Sequence, residues 1–147
     1  MPITGYPFSI LGAGNIPKPL LPISITNPYT GHSLFQWALI DTGADICAVP
    51  AWIAIALGHD LKAGATSSIG TGNGHSDAYR HTMNIEIFKI SHAGTQDPNT
   101  VVHRIPDTPI TCMQNLSVVL LGVNGFLQNF KLTIDYPRSN FSINYQK

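Results

Sequence analysis

Glycine and proline are scattered along the whole chain, 13 and 11 of them among 147 residues. Proline removes a helical hydrogen bond and glycine costs backbone entropy, so helices much longer than ten residues are not expected. Between these breaks the sequence reads as short strands and turns. Residues 19–25 and 34–40 form two strands around the turn-rich Thr26-Asn-Pro-Tyr-Thr-Gly-His32, hence a hairpin. A short strand over 46–49 follows Asp41-Thr-Gly43. Residues 50–57 read as one short helix, with Pro50 at its first position and Gly58 at its C-terminal cap. Strands over 65–69 and 79–90 flank the glycine-rich turn Gly70-Thr-Gly-Asn-Gly74, and 84–90 alternates as a half-buried strand does. Residues 91–100 read as a polar loop and 101–105 as a strand. The apolar run 116–121, ending at Gly122, predicts a strand buried on both faces. One or two helical turns are expected over 124–130, and 131–136 with 140–145 make a C-terminal hairpin around Pro137-Arg-Ser139. Many short strands, two short helices and no βαβ rhythm predict a mainly-β barrel or sandwich.

Composition narrows the function. Only 11% of residues are charged, against roughly 25% in an ordinary soluble domain. Lys+Arg and Asp+Glu balance at 8 each, so no basic patch is available for a nucleic acid. With 44% hydrophobic residues the chain is not disordered. Apolar runs such as 117–123 fall far short of the roughly 20 residues of a membrane helix. Cys47 and Cys112 are too few for a disulfide framework. The N-terminus lacks the basic and apolar regions of a secretory signal, so a cytoplasmic protein, or a domain of something longer, is expected. The length suits one domain over 1–147, with 1–18 an N-terminal segment of unassigned role. So few charges protect a surface poorly against association, which points to an oligomer with an apolar contact face.

The segment richest in chemistry is Ala38-Leu-Ile-Asp-Thr-Gly-Ala-Asp-Ile-Cys-Ala-Val-Pro50. Taken alone, Asp-Thr-Gly also describes a plain turn, in which Asp accepts local N–H bonds and Gly supplies an unusual φ. Its context is an apolar strand before it, Ala-Asp and a second apolar strand after it, a glycine-rich hairpin, and Val118-Val-Leu-Leu-Gly122 far downstream. From about residue 20 to the end this ordered set resembles the retropepsin-like aspartic proteases. Leu39-Ile-Asp-Thr-Gly-Ala-Asp45 matches the catalytic loop, Ile69-Gly-Thr-Gly-Asn-Gly-His75 the flap, and Leu120-Leu-Gly122 the hydrophobic-hydrophobic-glycine motif. The resemblance implies a retropepsin-like closed β-barrel, an acid-protease lobe with one or two short helices, a flap hairpin and a C-terminal hairpin.

It also implies aspartic endopeptidase activity with Asp41 catalytic. Two carboxylates then share one proton, because like charges a few ångströms apart cannot both ionise. The ionised member takes a proton from water, which attacks the peptide carbonyl that the protonated member polarises. That chemistry requires neither a cofactor nor a metal. One chain carries one Asp-Thr-Gly: Asp77, Asp107 and Asp135 lack the motif. The resemblance therefore implies a symmetric homodimer acting on a polypeptide. Thr42 would lock the two loops together, and Gly43 would admit the substrate backbone. Ala44, Asp45 and the flap residues Gly70, Thr71 and Gly72 would contact substrate. Val123 stands where retroviral enzymes carry an Arg that pairs with the equivalent of Asp45. The long C-terminal hairpin implies a dimer sheet built from 131–145 rather than from short interleaved termini. Residues 91–110 have no family counterpart, and Asn73 and His75 make the flap more polar.

Other readings compete. Gly70-x-Gly72-x-Gly74 suggests a phosphate loop, but no helix start follows it. His32, His59, His75, His81, His92 and His103 show no metal-ligand spacing and read as surface or loop residues, with His75 a candidate titrating group at the flap tip. Cys47 reads as a small core residue without a His partner pattern. Trp37 and Trp52 read as core. The functional alternative is a catalytically silent retropepsin-fold dimer that binds peptide or a partner protein.

Overall fold

The computed structural model describes residues 2–11, 16–71, 74–90 and 96–145. Its strands are β1 (Pro2–Pro7), β2 (Leu20–Thr26), β3 (Ser33–Ile40), β4 (Cys47–Pro50), β5 (Ala65–Thr71), β6 (Gly74–Ile90), β7 (Gln96–Met113), β8 (Val119–Leu121), β9 (Phe130–Asp135) and β10 (Asn140–Tyr145). One α-helix, α1 (Ala51–Ala56), and 3-10 turns at Leu61–Ala63 and Leu127–Asn129 complete the described elements. Six strands close into a barrel in the order β2-β3-β8-β4-β7-β6, with β6 returning to β2 through Ile23↔Ile87 and Ile25↔Ile85. Closure removes the open edges that a flat sheet would expose. β5 hangs outside the ring as a seventh strand on β6. A separate sheet runs β1-β10-β9.

The core follows from period-two alternation. Ile23 and Ile25, Ala38 and Ile40, Ile85 and Ile87, and Ile110 and Cys112 point inward and are buried. Ile3, Tyr6, Phe141 and Ile143 belong to the same cluster and pack the small sheet onto the barrel, with Tyr6 edge-on to Phe141 at 5.6 Å between centroids. The 27–32 turn clasps the end of α1: the Leu57 carbonyl accepts from Asn27 Nδ2 at 2.9 Å and from Thr30 Oγ1 at 2.8 Å. Gly58, at φ +88°, ends the helix as its position predicts. Among the described residues no helix is long and apolar enough to cross a membrane.

Several expectations are corrected. Residues 96–100 are not loop but the start of β7; 91–95 lie outside the described residues. Lys89 pairs with Asp97 and Phe88 with Val101, so the polar stretch between is absorbed as an irregularity in a long hairpin, and the Asp97 carboxylate takes the Asn99 N–H and Thr100 hydroxyl. The apolar run 116–121 pairs only over Val119–Leu121, and Leu120 is half-buried, so one face is open. The 124–130 stretch makes a single 3-10 turn. Pro50 ends β4 and precedes the first helical residue rather than occupying it. Residues 2–7 pair with β10 through Ile3↔Ile143 and Tyr6↔Phe141, which gives the N-terminal segment a structural role. Trp37 and Trp52 are not core: they are 39% and 55% exposed, on the outward sides of β3 and α1. His81 and His103 lie half-buried on strands rather than on loops.

Candidate active site

Asp41 stands one residue beyond the end of β3, where the inward and outward alternation of that strand stops. What stops it is the neighbour. β8 lies between β3 and β4, parallel to β3 through Ile40↔Leu121 and antiparallel to β4 at Ala48↔Leu120. The chain must therefore leave β3, pass around the end of β8 and re-enter on its other side. Residues 41–46 are that passage.

Four hydrogen bonds fasten it, with the first residue of β4, to the end of β8 and the segment after it. Asp41 N–H donates to Leu121 O at 3.1 Å, Val123 N–H to Ala44 O at 2.9 Å, and Asn124 N–H to Asp45 O at 2.8 Å. Gly122 N–H donates to Cys47 Sγ at 3.3 Å. Gly122 is dictated by sterics: a Cβ there would lie 2.5 Å from the Ile46 carbonyl carbon and 2.8 Å from Ala44 O. Within the passage, Ala44 N–H donates to Asp41 O at 3.2 Å, and Gly43 N–H to Asp41 Oδ1 at 3.0 Å. One carboxylate oxygen is thus held by the chain's own turn, as short polar side chains do in turns. Asp41 and Ala44 are partly buried; Thr42, Gly43 and Asp45 are exposed.

The structure brings Asp41, Thr42, Gly43, Ala44 and Asp45 together with Gly122 and Val123. Asp45 forms no ion pair among the described residues, and Val123 beside it is 42% exposed, so the cation that the resemblance would place there has no substitute in this segment. Gly70 and Thr71 stand on a different element, at the closed end of the β5–β6 hairpin, where Gly70 pairs with His75 and Thr71 with Gly74. Gly72 and Asn73 lie outside the described residues, as does the side chain of His75.

Apolar surface flanks the passage. A satellite cluster separate from the main core joins Ala48, Ala78 and Met113 to the half-buried Leu116 and Leu120. Ala48 faces Leu120 across β4 and β8, and Ala78 faces Ser67 in the β5–β6 hairpin. A pocket of about 240 Å³ lies between Leu11, Ile16 and Lys18 of the N-terminal arm and Ser117 and Val118.

Cys47 is buried as expected, and burial pushes its thiol up to about 11, so it stays protonated near neutral pH. Its bond to Gly122 spans 75 positions of sequence and has no local signal. Among the described residues no group of three or more His, Cys, Asp or Glu is placed to hold a metal ion.

A closed barrel that presents Asp-Thr-Gly on a passage laced to a Leu-Leu-Gly strand defines an acid-protease lobe. Residues 29–124, more than half of the chain, match the aspartyl protease family, and the chain belongs to it. Its fold is similar to that of a retropepsin-like aspartic protease from Rickettsia conorii, with a TM-score of 0.56, 23% identity, and 85% of this chain and 89% of that one covered. The retroviral protease-like domain of Ddi1 from Leishmania major matches at a TM-score of 0.47 and 15% identity, over 88% of this chain and 95% of the other. The EIAV protease solved with the inhibitor HBY-793 matches at 0.44 and 16%, over 76% and 88%. No curated protein sequence matches the chain.

Proposed function

We propose that this chain is a single-domain subunit of a homodimeric aspartic endopeptidase, with Asp41 of each protomer facing the other across a two-fold axis. The observation that carries the reading is Asp41 itself. It is held on a laced, partly exposed turn, in a chain of this family that supplies the motif once. One carboxylate cannot share a proton, and in this reading a second copy of the chain supplies the other. The pair then titrates as a unit, and its two apparent pKa values belong to the dyad. The ionised member deprotonates a water molecule, the water oxygen attacks the peptide carbonyl, and the protonated member hydrogen-bonds the carbonyl oxygen as negative charge grows there.

Thr42 joins the two passages across the axis, and Gly43 leaves room for the substrate backbone. Ala44 and Asp45 contact substrate from one side. Gly70, Thr71 and Gly72 do so from the β5–β6 hairpin, which closes as a flap and excludes water. The substrate lies extended between them as an added strand, its apolar side chains against Leu116 and Leu120.

The test compares wild type with Asp41→Asn on a mixed peptide library from about pH 3 to 7, at several protein concentrations. The expected result is cleavage that falls by about a thousandfold or more in the variant, with specific activity that drops on dilution. Undiminished cleavage by Asp41→Asn overturns the assignment. A folded wild-type dimer that cleaves nothing at any pH favours a peptide-binding role instead.

A further inference from the structure

We propose that Cys47 is a positioning residue for Asp41 and acts through one peptide group, Leu121–Gly122. This rests on the reading of Asp41 given above. The carbonyl of Leu121 and the N–H of Gly122 belong to the same planar unit and point to opposite sides of it. The carbonyl oxygen receives the Asp41 N–H at 3.1 Å, and the N–H reaches Cys47 Sγ at 3.3 Å. Asp41 and Cys47 bound the passage around β8. A single rigid strut thus spans the two ends of the loop, and its orientation sets where the Asp41 backbone sits.

Three features make the thiol the adjustable part of this strut. The Val123–Ala44 and Asn124–Asp45 bonds are backbone to backbone and survive any side-chain change, whereas Cys47 contributes the one side-chain acceptor of the four. Gly122 is buried, so without sulfur its N–H loses its partner away from water, which costs more than an exposed bond of the same kind. The Ile46 carbonyl against Gly122 limits how far the peptide can turn to find another acceptor. The protonated, buried thiol offers little nucleophilic or redox chemistry, so acceptance of that N–H is the role its place permits.

The experiment uses the full chain with Cys47→Val, similar in size but without an acceptor, and Cys47→Ser, smaller but with one. Cys112→Val is the control for loss of a buried thiol elsewhere. Amide proton and nitrogen shifts of Asp41 and Gly122 are read by NMR beside kcat and KM. In Cys47→Val both amides are expected to move, and kcat per folded dimer to fall by about three- to tenfold with little change in KM. Cys47→Ser should bring both amides back toward wild type and keep kcat within about twofold of it. If Cys47→Val does not fold, Cys47→Ala carries the same comparison with Ser.

An unmoved Asp41 amide in the acceptor-free variant overturns the proposal. So does an equal loss of turnover in Val and Ser that follows only their stability. If wild type cleaves nothing, the protease reading fails by itself, while the amide shifts still decide whether Cys47 orients Asp41.

Discussion

The passage over 41–46 and the hairpin of β5 with β6 both carry glycines that the sequence assigns to the site, yet the fold holds them in opposite ways. The passage joins two strands of the closed ring around the end of a third. Its two ends continue into β3 and β4, and the end of β8 with the three residues after it adds four cross-bonds. β5 pairs on one side only, with β6, and its other edge meets no strand among the described residues. A ring strand can move only if its neighbours move with it, whereas an edge strand can shift alone. The catalytic carboxylate needs a fixed position and a cover over substrate needs freedom, so this division suits the proposed chemistry.

Two glycines give the sharpest test, because the steric insult is nearly equal while the surroundings differ. A Cβ on Gly122 would sit 2.5 Å from the Ile46 carbonyl carbon; one on Gly64, at the root of the hairpin, would sit 2.4 Å from Arg80 O. Gly122→Ala is expected to cost about 3 kcal/mol or more, because β8 and the passage cannot separate without opening the ring. Gly64→Ala is expected to cost about 1–2 kcal/mol, because the segment leading to β5 can shift outward. Urea midpoints at fixed pH measure both. Equal losses, or the reverse order, would break the distinction between a clamped loop and a free edge.

Amide hydrogen exchange looks at the same contrast without substitution. The N–H groups of Asp41, Gly122, Val123 and Asn124 should exchange near the global unfolding rate, and those of β5 well before it. Equally slow exchange in β5 would show an edge held by contacts beyond its ladder.

The smallest predicted effect lies where hairpin and helix meet. His59 follows α1 and its ring lies 4.6 Å from that of His81 on β6, which bonds Leu61 O at 2.9 Å. Burial first, and the neighbouring His81 second, hold the pKa of His59 below its ordinary 6.5. The unfolded chain therefore takes up this proton at higher pH than the folded one. The associated stability is complete above about 6.5, declines as the pH falls through the folded value, and then levels off. Urea midpoints between about pH 8 and 5 should show this decline, and His59→Gln should flatten part of it. An unchanged slope in the variant would remove His59 as its source.

The parts of the fold legible in sequence are those that a strand specifies by itself. The β2–β3 hairpin, the C-terminal hairpin, α1 with its glycine stop, and the alternation of 84–90 each rest on local periodicity or turn chemistry. The misread parts depend on a distant partner. Residues 96–100 look like loop, but Lys89 and Ile90 supply a ladder that accommodates them. Residues 116–118 look like strand and find no ladder. Trp37 and Trp52 look like core by size alone, but the inward positions on their elements are already taken by Ala38, Ile40, Ile53 and Ala54. At the site, Asp41 through Asp45 and Leu120-Leu-Gly122 are visible as motifs, whereas the role of Cys47 is not, because a thiol acceptor carries no pattern.

Sequence alone determined the mainly-β class and the Asp-Thr-Gly turn, since these depend on residues within a few positions of one another, and the family resemblance, since it depends on the order of such short motifs along the chain. Only the tertiary structure decided that β8 would lie between β3 and β4 and that Gly122 would press on Ile46. It also decided that one peptide group would join Asp41 to Cys47. Those outcomes follow from closing the ring, which brings residues some 75 positions apart into hydrogen-bond range, and no local preference encodes which strands become neighbours.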